Sequence, residues 1–255
     1  MMKRSKVLER RIDKAIEEKS NLLNNVDRAD SLKIIPLESR KNPLVLAERL
    51  QIKYDSNAIF NPVSFEVNNG DRVALVGKNG AGKSSILKLI LEKSSTGNEN
   101  ILQPTGNTNN LALVEKAEYT GTLKVANDLK ISYISQSTEY LKGNLKEFVK
   151  KYEVEESIFK AMLVKMGFSN SEFDKDINQM SEGQKKKILI AKSISEQANF
   201  YIWDEPLNYI DILTRIQIEE AILKYKPTLI FVEHDETFIK KISTKVIELK
   251  KNIDI

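Results

Sequence analysis

Gly77-Lys78-Asn79-Gly80-Ala81-Gly82-Lys83-Ser84 is the stretch on which the reading of this chain turns. It follows an apolar run, Arg72-Val73-Ala74-Leu75-Val76, that reads as a strand, and it opens a pattern predicted to be helical over 85–91. Glycines let a backbone wrap close to phosphate, so that loop N–H groups and the amino end of the helix can cradle an anion. Gly77, Asn79, Gly80, Ala81 and Gly82, with Ser85 at the start of the helix, are the candidate contacts of that cradle. Lys83 is placed to reach the β- and γ-phosphates of a nucleotide, and Ser84 to ligate Mg²⁺.

Working outward, Phe200-Tyr201-Ile202-Trp203 and Thr228-Leu229-Ile230-Phe231-Val232 are near-continuous apolar runs. Such runs belong to a parallel sheet covered on both faces, which predicts an α/β fold. Asp204 and Glu205 follow the first run directly, at the strand end where open α/β sheets place their ligands. Asp204 is expected to hold Mg²⁺ through its water shell, and Glu205 to polarise the attacking water as a general base. His234 is the only histidine and stands just after the second run and Glu233, a position from which it can hydrogen-bond a γ-phosphate. Trp203 reads as a core aromatic.

Composition narrows the remaining classes. A chain of 255 residues with 41% hydrophobic content can bury one main core with an appendage. The absence of cysteine excludes a disulfide framework and any thiolate metal site, and fits a reducing, cytoplasmic setting. The start, Met1-Met2-Lys3-Arg4-Ser5-Lys6 followed by Glu9, Arg10, Arg11 and Asp13, lacks the apolar run of a secretory signal. The apolar runs fall far short of the roughly 20 residues needed to cross a bilayer, so no membrane insertion is expected. A net charge of +4 from 40 basic and 36 acidic residues decides nothing about nucleic acid.

Three zones are expected along the chain. Leu8, Ile12, Ala15, Leu22 and Val26 form one helical stripe with no partner inside the sequence, and no N-cap signal precedes it, as expected of a piece of a longer protein. Residues 26–42 then read as a polar hinge, with Pro36 and Pro43. Residues 1–43 are thus assigned to a linker and hinge, and 44–255 to the main domain. Residues 94–110, rich in Ser, Thr, Asn and Gly, read as a surface insertion.

Four further motifs carry a family resemblance. Met180-Ser181-Glu182-Gly183-Gln184 resembles the signature sequence of ATP-binding cassette (ABC) ATPases, and Gln136 in Tyr133-Ile134-Ser135-Gln136 resembles their Q-loop glutamine. Asn208-Tyr209-Ile210-Asp211 resembles the D-loop, and His234 the switch histidine. With the phosphate loop and the Asp204-Glu205 pair, all stand in the family's order. The resemblance implies a P-loop fold with a mostly parallel core sheet, an antiparallel β subdomain and a helical subdomain over 137–180. It implies ATP and Mg²⁺, with Gln136 joining Ser84 and Asp204 at the metal and joining Glu205 and His234 in catalysis. It further implies that Ser181, Gly183, Gln184 and Asp211 touch nucleotide shared with a second ABC domain, and that Tyr54 or Phe60 stacks on adenine. Charge agrees: Ser181 precedes a helix predicted over 184–195, whose positive end can meet a γ-phosphate held by the facing domain. One departure is Glu182, where the commoner signature has glycine. Its charge should repel phosphate unless Lys185, Lys186 and Lys187 offset it or the side chain turns away.

Within that superfamily the chain is similar to the second ABC domain of ABC-F proteins. The signature over 180–187 and Tyr201-Ile202-Trp203-Asp204-Glu205-Pro206-Leu207-Asn208 resemble the branch that protects ribosomes from antibiotics. The resemblance implies a ribosomal RNA partner reached through the linker, with Lys3, Arg4, Lys6, Arg10 and Arg11 on the path, and an isolated domain that is a monomer or weak homodimer. The competing reading is the nucleotide-binding subunit of an ABC membrane transporter, against which the compact stretch of about 45 residues from Gln136 to Ser181 argues. A chromosome-maintenance ATPase would want long coiled coils or zinc cysteines.

Overall fold

The apolar runs become the middle of a five-stranded sheet in a computed structural model that describes residues 31–54, 57–94 and 117–251. Its order is β6-β7-β8-β4-β9, with β4 Arg72–Gly77, β6 Ile131–Ile134, β7 Phe200–Asp204, β8 Leu229–Val232 and β9 Lys245–Leu249. Every neighbouring pair is parallel. Alternation explains why β8, and β7 up to its last residue Asp204, are apolar at every position. Phe200, Ile202, Ile230 and Val232 face one apolar cluster, while Tyr201, Trp203, Leu229 and Phe231 face another. Both faces are covered, so both sets of side chains must be apolar.

The first cluster includes a second sheet, which is antiparallel. Here β1 Val45–Tyr54 pairs with β2 Asn57–Ala58, β3 Val63–Val67 and β5 Ala117–Val125. Helix α1, Lys83–Ser94, lies in the same layer through Ile86, Leu87, Ile90 and Leu91. The second cluster gathers α2 Leu145–Lys151, α3 Glu156–Lys165, α4 Glu182–Ser195, α5 Ile212–Tyr225 and α6 Glu236–Ile242, with α2 packed on α3 and α3 on α4. The expected α/β P-loop architecture of parallel core, antiparallel sheet and helical segment is therefore present.

Two sequence expectations need revision. The helix expected over 184–195 begins at Glu182, because Ser181 is its N-cap: the Ser181 hydroxyl accepts from the Gln184 N–H at 3.2 Å and the Gln184 carboxamide accepts from the Ser181 N–H at 2.9 Å. Two residues of the expected polar hinge are core. Leu32 and Ile34 are 0% and 1% exposed, Leu37 N–H donates to the Ala198 carbonyl at 2.8 Å, and Leu32–Ile255 forms one compact unit. Pro36 and charged neighbours hid two alternating apolar residues that pack beside α4 and β7. The helix expected over residues 7–26 and the insertion expected beyond Ser94 lie outside the described residues.

Ile34→Ala separates core from hinge. Truncating a buried isoleucine costs about 2–4 kcal/mol, whereas a hinge position would change stability by less than about 0.5 kcal/mol. Urea unfolding of this chain should show the larger loss.

Candidate functional site

Strand β4 delivers the chain into the phosphate loop, and α1 begins at Lys83. Gly82 holds φ +87°, and a Cβ there would lie 2.5 Å from Ile59 Cδ1 and 3.0 Å from the Phe60 ring. Only glycine lets the loop settle onto that apolar floor. Phe60 is wholly buried beneath it, which removes Phe60 as the adenine platform. Tyr54, half-buried at the end of β1, comes within 3.1 Å of the Ser85 hydroxyl through its own, and so stands beside the first turn of α1. Lys83 is 6% exposed, and its Nζ donates to the carbonyls of Gly77 at 2.9 Å and Lys78 at 3.3 Å. Lys78, Asn79 and Gly80 are exposed, and Ala81 is buried.

Asp204 ends β7 almost entirely out of water, and the Ser84 hydroxyl donates to its Oδ1 at 3.1 Å. Burial pushes this carboxyl above the usual range, against the pull of the Ser84 hydrogen bond. A buried acid so placed fits a divalent cation, which would favour its ionised form. Two hard oxygen donors side by side also suit Mg²⁺, which draws its other ligands from water and phosphate. No cluster of three or more His, Cys, Asp or Glu able to hold a metal alone exists among the described residues.

Glu205 differs from its neighbour. It is the first residue past β7 and takes φ +49°, a left-handed conformation that costs a non-glycine residue about 1–3 kcal/mol. Its N–H donates to the Val232 carbonyl at 3.1 Å, tying it to the end of β8. Its Oε2 accepts from Asn208 Nδ2 at 2.7 Å, and its Oε1 lies 3.2 Å from His234 Nε2. Partial burial raises its pKa, but hydrogen bonds from Gln136 and His234, then Asn208, together outweigh that and hold the carboxyl below its ordinary value. Glu205, Gln136 and His234 thus stand together, with Gln136 and His234 exposed. Asn208 belongs to the group too, a contact that its place in the D-loop-like stretch did not assign. So does Glu233, buried, whose two oxygens accept from the N–H groups of Leu207 at 2.8 Å and His234 at 3.2 Å.

The signature residues form a separate surface at the start of α4. Ser181 is exposed, and while its oxygen caps the helix its hydroxyl proton remains available to an anion. A Cβ on Gly183 would lie 2.6 Å from the Tyr209 carbonyl, so the close approach of α4 to the 208–211 turn requires glycine. Gln184 Nε2 donates to Glu172. Asp211 caps α5 by accepting from Thr214 N–H at 2.9 Å and pairs with Lys187 at 2.6 Å. Despite some burial, which raises its pKa, these partners bring its carboxyl down to about 2. Asp211 therefore lies with the signature turn and not with the Glu205 group. Glu182 turns toward Thr138, whose hydroxyl donates to it, and pairs with Lys185 at 3.0 Å. Lys185 thus supplies the offset expected of the lysine run, while Lys186 and Lys187 are bonded elsewhere.

Comparison with known proteins agrees with this geometry. The profile of a family described as ABC transporter matches residues 60–208, from Phe60 beneath the phosphate loop to Asn208 beside Glu205. ABC transporter F family member 2 of Arabidopsis thaliana is 32% identical over 81% of this chain, and the ATP-binding protein Uup of Buchnera aphidicola is 26% identical over 82%. The chain spans 28% and 33% of those relatives' lengths. Among solved structures, an RNase-L Inhibitor is 25% identical over 84% of this chain and 38% of its own, with a TM-score of 0.60. An ATP-binding subunit of an ABC transporter shares the fold at 19% identity and a TM-score of 0.57, over 81% of this chain and 86% of its own. With the phosphate loop, the paired acids and the signature helix each in its place, this chain belongs to the ABC transporter family as an ATP-binding domain with relatives of the ABC-F type.

Proposed function

We propose that the chain binds MgATP at residues 77–85 and hydrolyses it at a site completed by a second ABC domain, as the C-terminal ABC domain of a cytoplasmic ABC-F ATPase that protects ribosomes from antibiotics. The observation that carries the hydrolytic part is the Glu205 carboxylate, held ionised by Gln136, His234 and Asn208 beside the Ser84 and Asp204 oxygens. An ionised carboxylate with a hydrogen-bonded histidine and glutamine can orient a water and accept its proton. Lys83 binds phosphate oxygens in place of the loop carbonyls it now contacts, the loop N–H groups take the remaining negative charge, and Tyr54 stacks on the base. Mg²⁺, held by Ser84, Gln136 and Asp204, would supply positive charge to the phosphates.

Ser181 and its helix end face outward, and the phosphate of a facing domain is the anion they suit. Beside them Tyr209, Ile212 and Leu213 are 76%, 75% and 60% exposed, an apolar patch fit to be covered by that domain. The ribosomal assignment rests on the F-type relatives and on the resemblance of the signature and the 201–208 stretch. No helix among the described residues is long and apolar enough to cross a membrane.

Calorimetric titration with MgATP should show Lys83→Ala losing about 1.5–3 kcal/mol of binding and Tyr54→Ala about 1 kcal/mol. Unchanged affinity in the lysine variant would remove the phosphate-loop assignment. Glu205→Gln keeps shape but not basicity, so turnover should fall by roughly 10²–10⁴ while ATP still binds. Turnover per domain should also rise with protein concentration, or on adding a second ABC domain, and full activity in a dilute monomer would contradict the shared site. For the partner, the chain within its two-domain protein should co-sediment with ribosomes in an ATP-dependent manner. Sedimentation with membranes instead would favour the transporter reading.

A further inference from the structure

Lys186 is 2% exposed, and its Nζ donates to two main-chain carbonyls, Ser135 at 3.0 Å and Glu205 at 3.1 Å. A buried ammonium needs compensation. The carboxylates of Asp204, Glu205, Glu233 and Glu182 all act on it, yet its hydrogen bonds go to backbone oxygens. That choice leaves the Glu205 side-chain oxygens to Gln136, His234 and Asn208.

Each of the two carbonyls lies in a peptide that adjoins a side chain of the hydrolytic group. The Ser135 carbonyl belongs to the peptide that enters Gln136. The Glu205 carbonyl belongs to the peptide that leaves Glu205, and the next residue is Pro206, which offers no N–H. Beyond Glu205 that peptide plane can be held by hydrogen bonding only at its oxygen, and a left-handed residue persists only when its surroundings fix it. A second tie acts in parallel. Thr138, 3% exposed, donates through its hydroxyl to Glu182, four residues before Lys186 on the same helix. The first turns of α4 therefore grip the 135–138 segment at both ends, and Ser181 caps those turns.

We propose that Lys186 is a positioning residue that sets Gln136 and Glu205 from the signature helix, so that the seating of Ser181 on a facing domain's nucleotide fixes the geometry of this domain's own water-activating group. The coupling rests on the shared-site reading given above. The lysine run has three separate roles: Lys185 neutralises Glu182, Lys186 spans to the catalytic group, and Lys187 holds Asp211.

Lys186→Met keeps the length and the apolar stem but removes the donors. In this chain, assayed where Glu205→Gln lowers turnover, Lys186→Met should bind MgATP within about twofold of the unsubstituted chain. Its kcat should fall about ten- to a hundredfold, as for loss of charge-assisted hydrogen bonds, with KM little changed. Hydrogen exchange at the amides of residues 136–138 and of Glu205 should quicken while the unfolding transition stays cooperative. Lys186→Arg, which keeps donors, should recover part of kcat. Unchanged kcat and unchanged exchange in a folded Lys186→Met variant would overturn the inference. If that variant fails to fold, Lys186→Gln replaces it: lowered kcat at normal affinity supports the role, and full kcat overturns it. Should Glu205→Gln leave turnover intact, the hydrolytic reading is what falls, and exchange at those amides alone decides whether Lys186 positions them.

Discussion

Asp204 ends a strand whose five residues are all buried, so its carboxylate has lost water on nearly every side and neighbouring groups must answer that loss. Much of the site follows from this constraint. Ser84 must reach across from α1 to donate to it, which sets the height of the phosphate loop above the sheet. Lys186 must sit near enough for its charge to oppose desolvation, which draws the signature helix against the same sheet edge. A sheet covered on both faces leaves polar chemistry nowhere else to go than the carboxyl ends of its strands.

Main-chain ties then convert that edge into a connected unit. The Glu233 carboxylate, raised in pKa by burial, accepts from the N–H groups of Leu207 and His234, so the turns that follow β7 and β8 share one anchor. Arg215 on α5 pairs with Asp235, the N-cap of α6, and extends the connection to both helices. Lys187 adds a third span by donating to the Met166 carbonyl and pairing with Asp211. Through these links the carboxyl edge of the sheet, the signature turn and the 208–211 turn are neighbours in a single network of charged hydrogen bonds, the class of interaction most sensitive to loss of one member.

Legibility followed the range of the forces involved. Phosphate-loop glycines, the apolar strands and the acids after Trp203 act through local spacing, and a linear pattern can carry that. The capped start of α4 was off by only two residues, because the Ser181 hydroxyl and the Gln184 carboxamide close a reciprocal pair that a serine three residues before a glutamine already signals. Leu32 and Ile34 lie in a run too short to show a period, broken by Lys33 and closed by Pro36, so their burial is not legible in the sequence. The bonds of Asn208, Glu233 and Lys186 are not legible in the sequence for a different reason. Their roles are defined by partners 3, 26 and 19 positions away, and no residue type advertises such a bond. Phe60 competes with Tyr54 by residue type and place, and its complete burial is visible only in the structure.

Trp203 is the one tryptophan in the chain and lies directly before Asp204, 1% exposed, with its indole N–H donating to the Ser193 hydroxyl of α4 at 2.9 Å. Ser193 in turn meets the Ser132 hydroxyl on β6 at 2.7 Å. The indole therefore spans the seam between the sheet and the signature helix in a dry, apolar setting. It gives the domain an optical signal of its own: emission from this single indole, excited apart from the tyrosines, should be blue and shielded from aqueous quenchers, and any sliding of α4 across β7 must alter the hydrogen bond that tunes it.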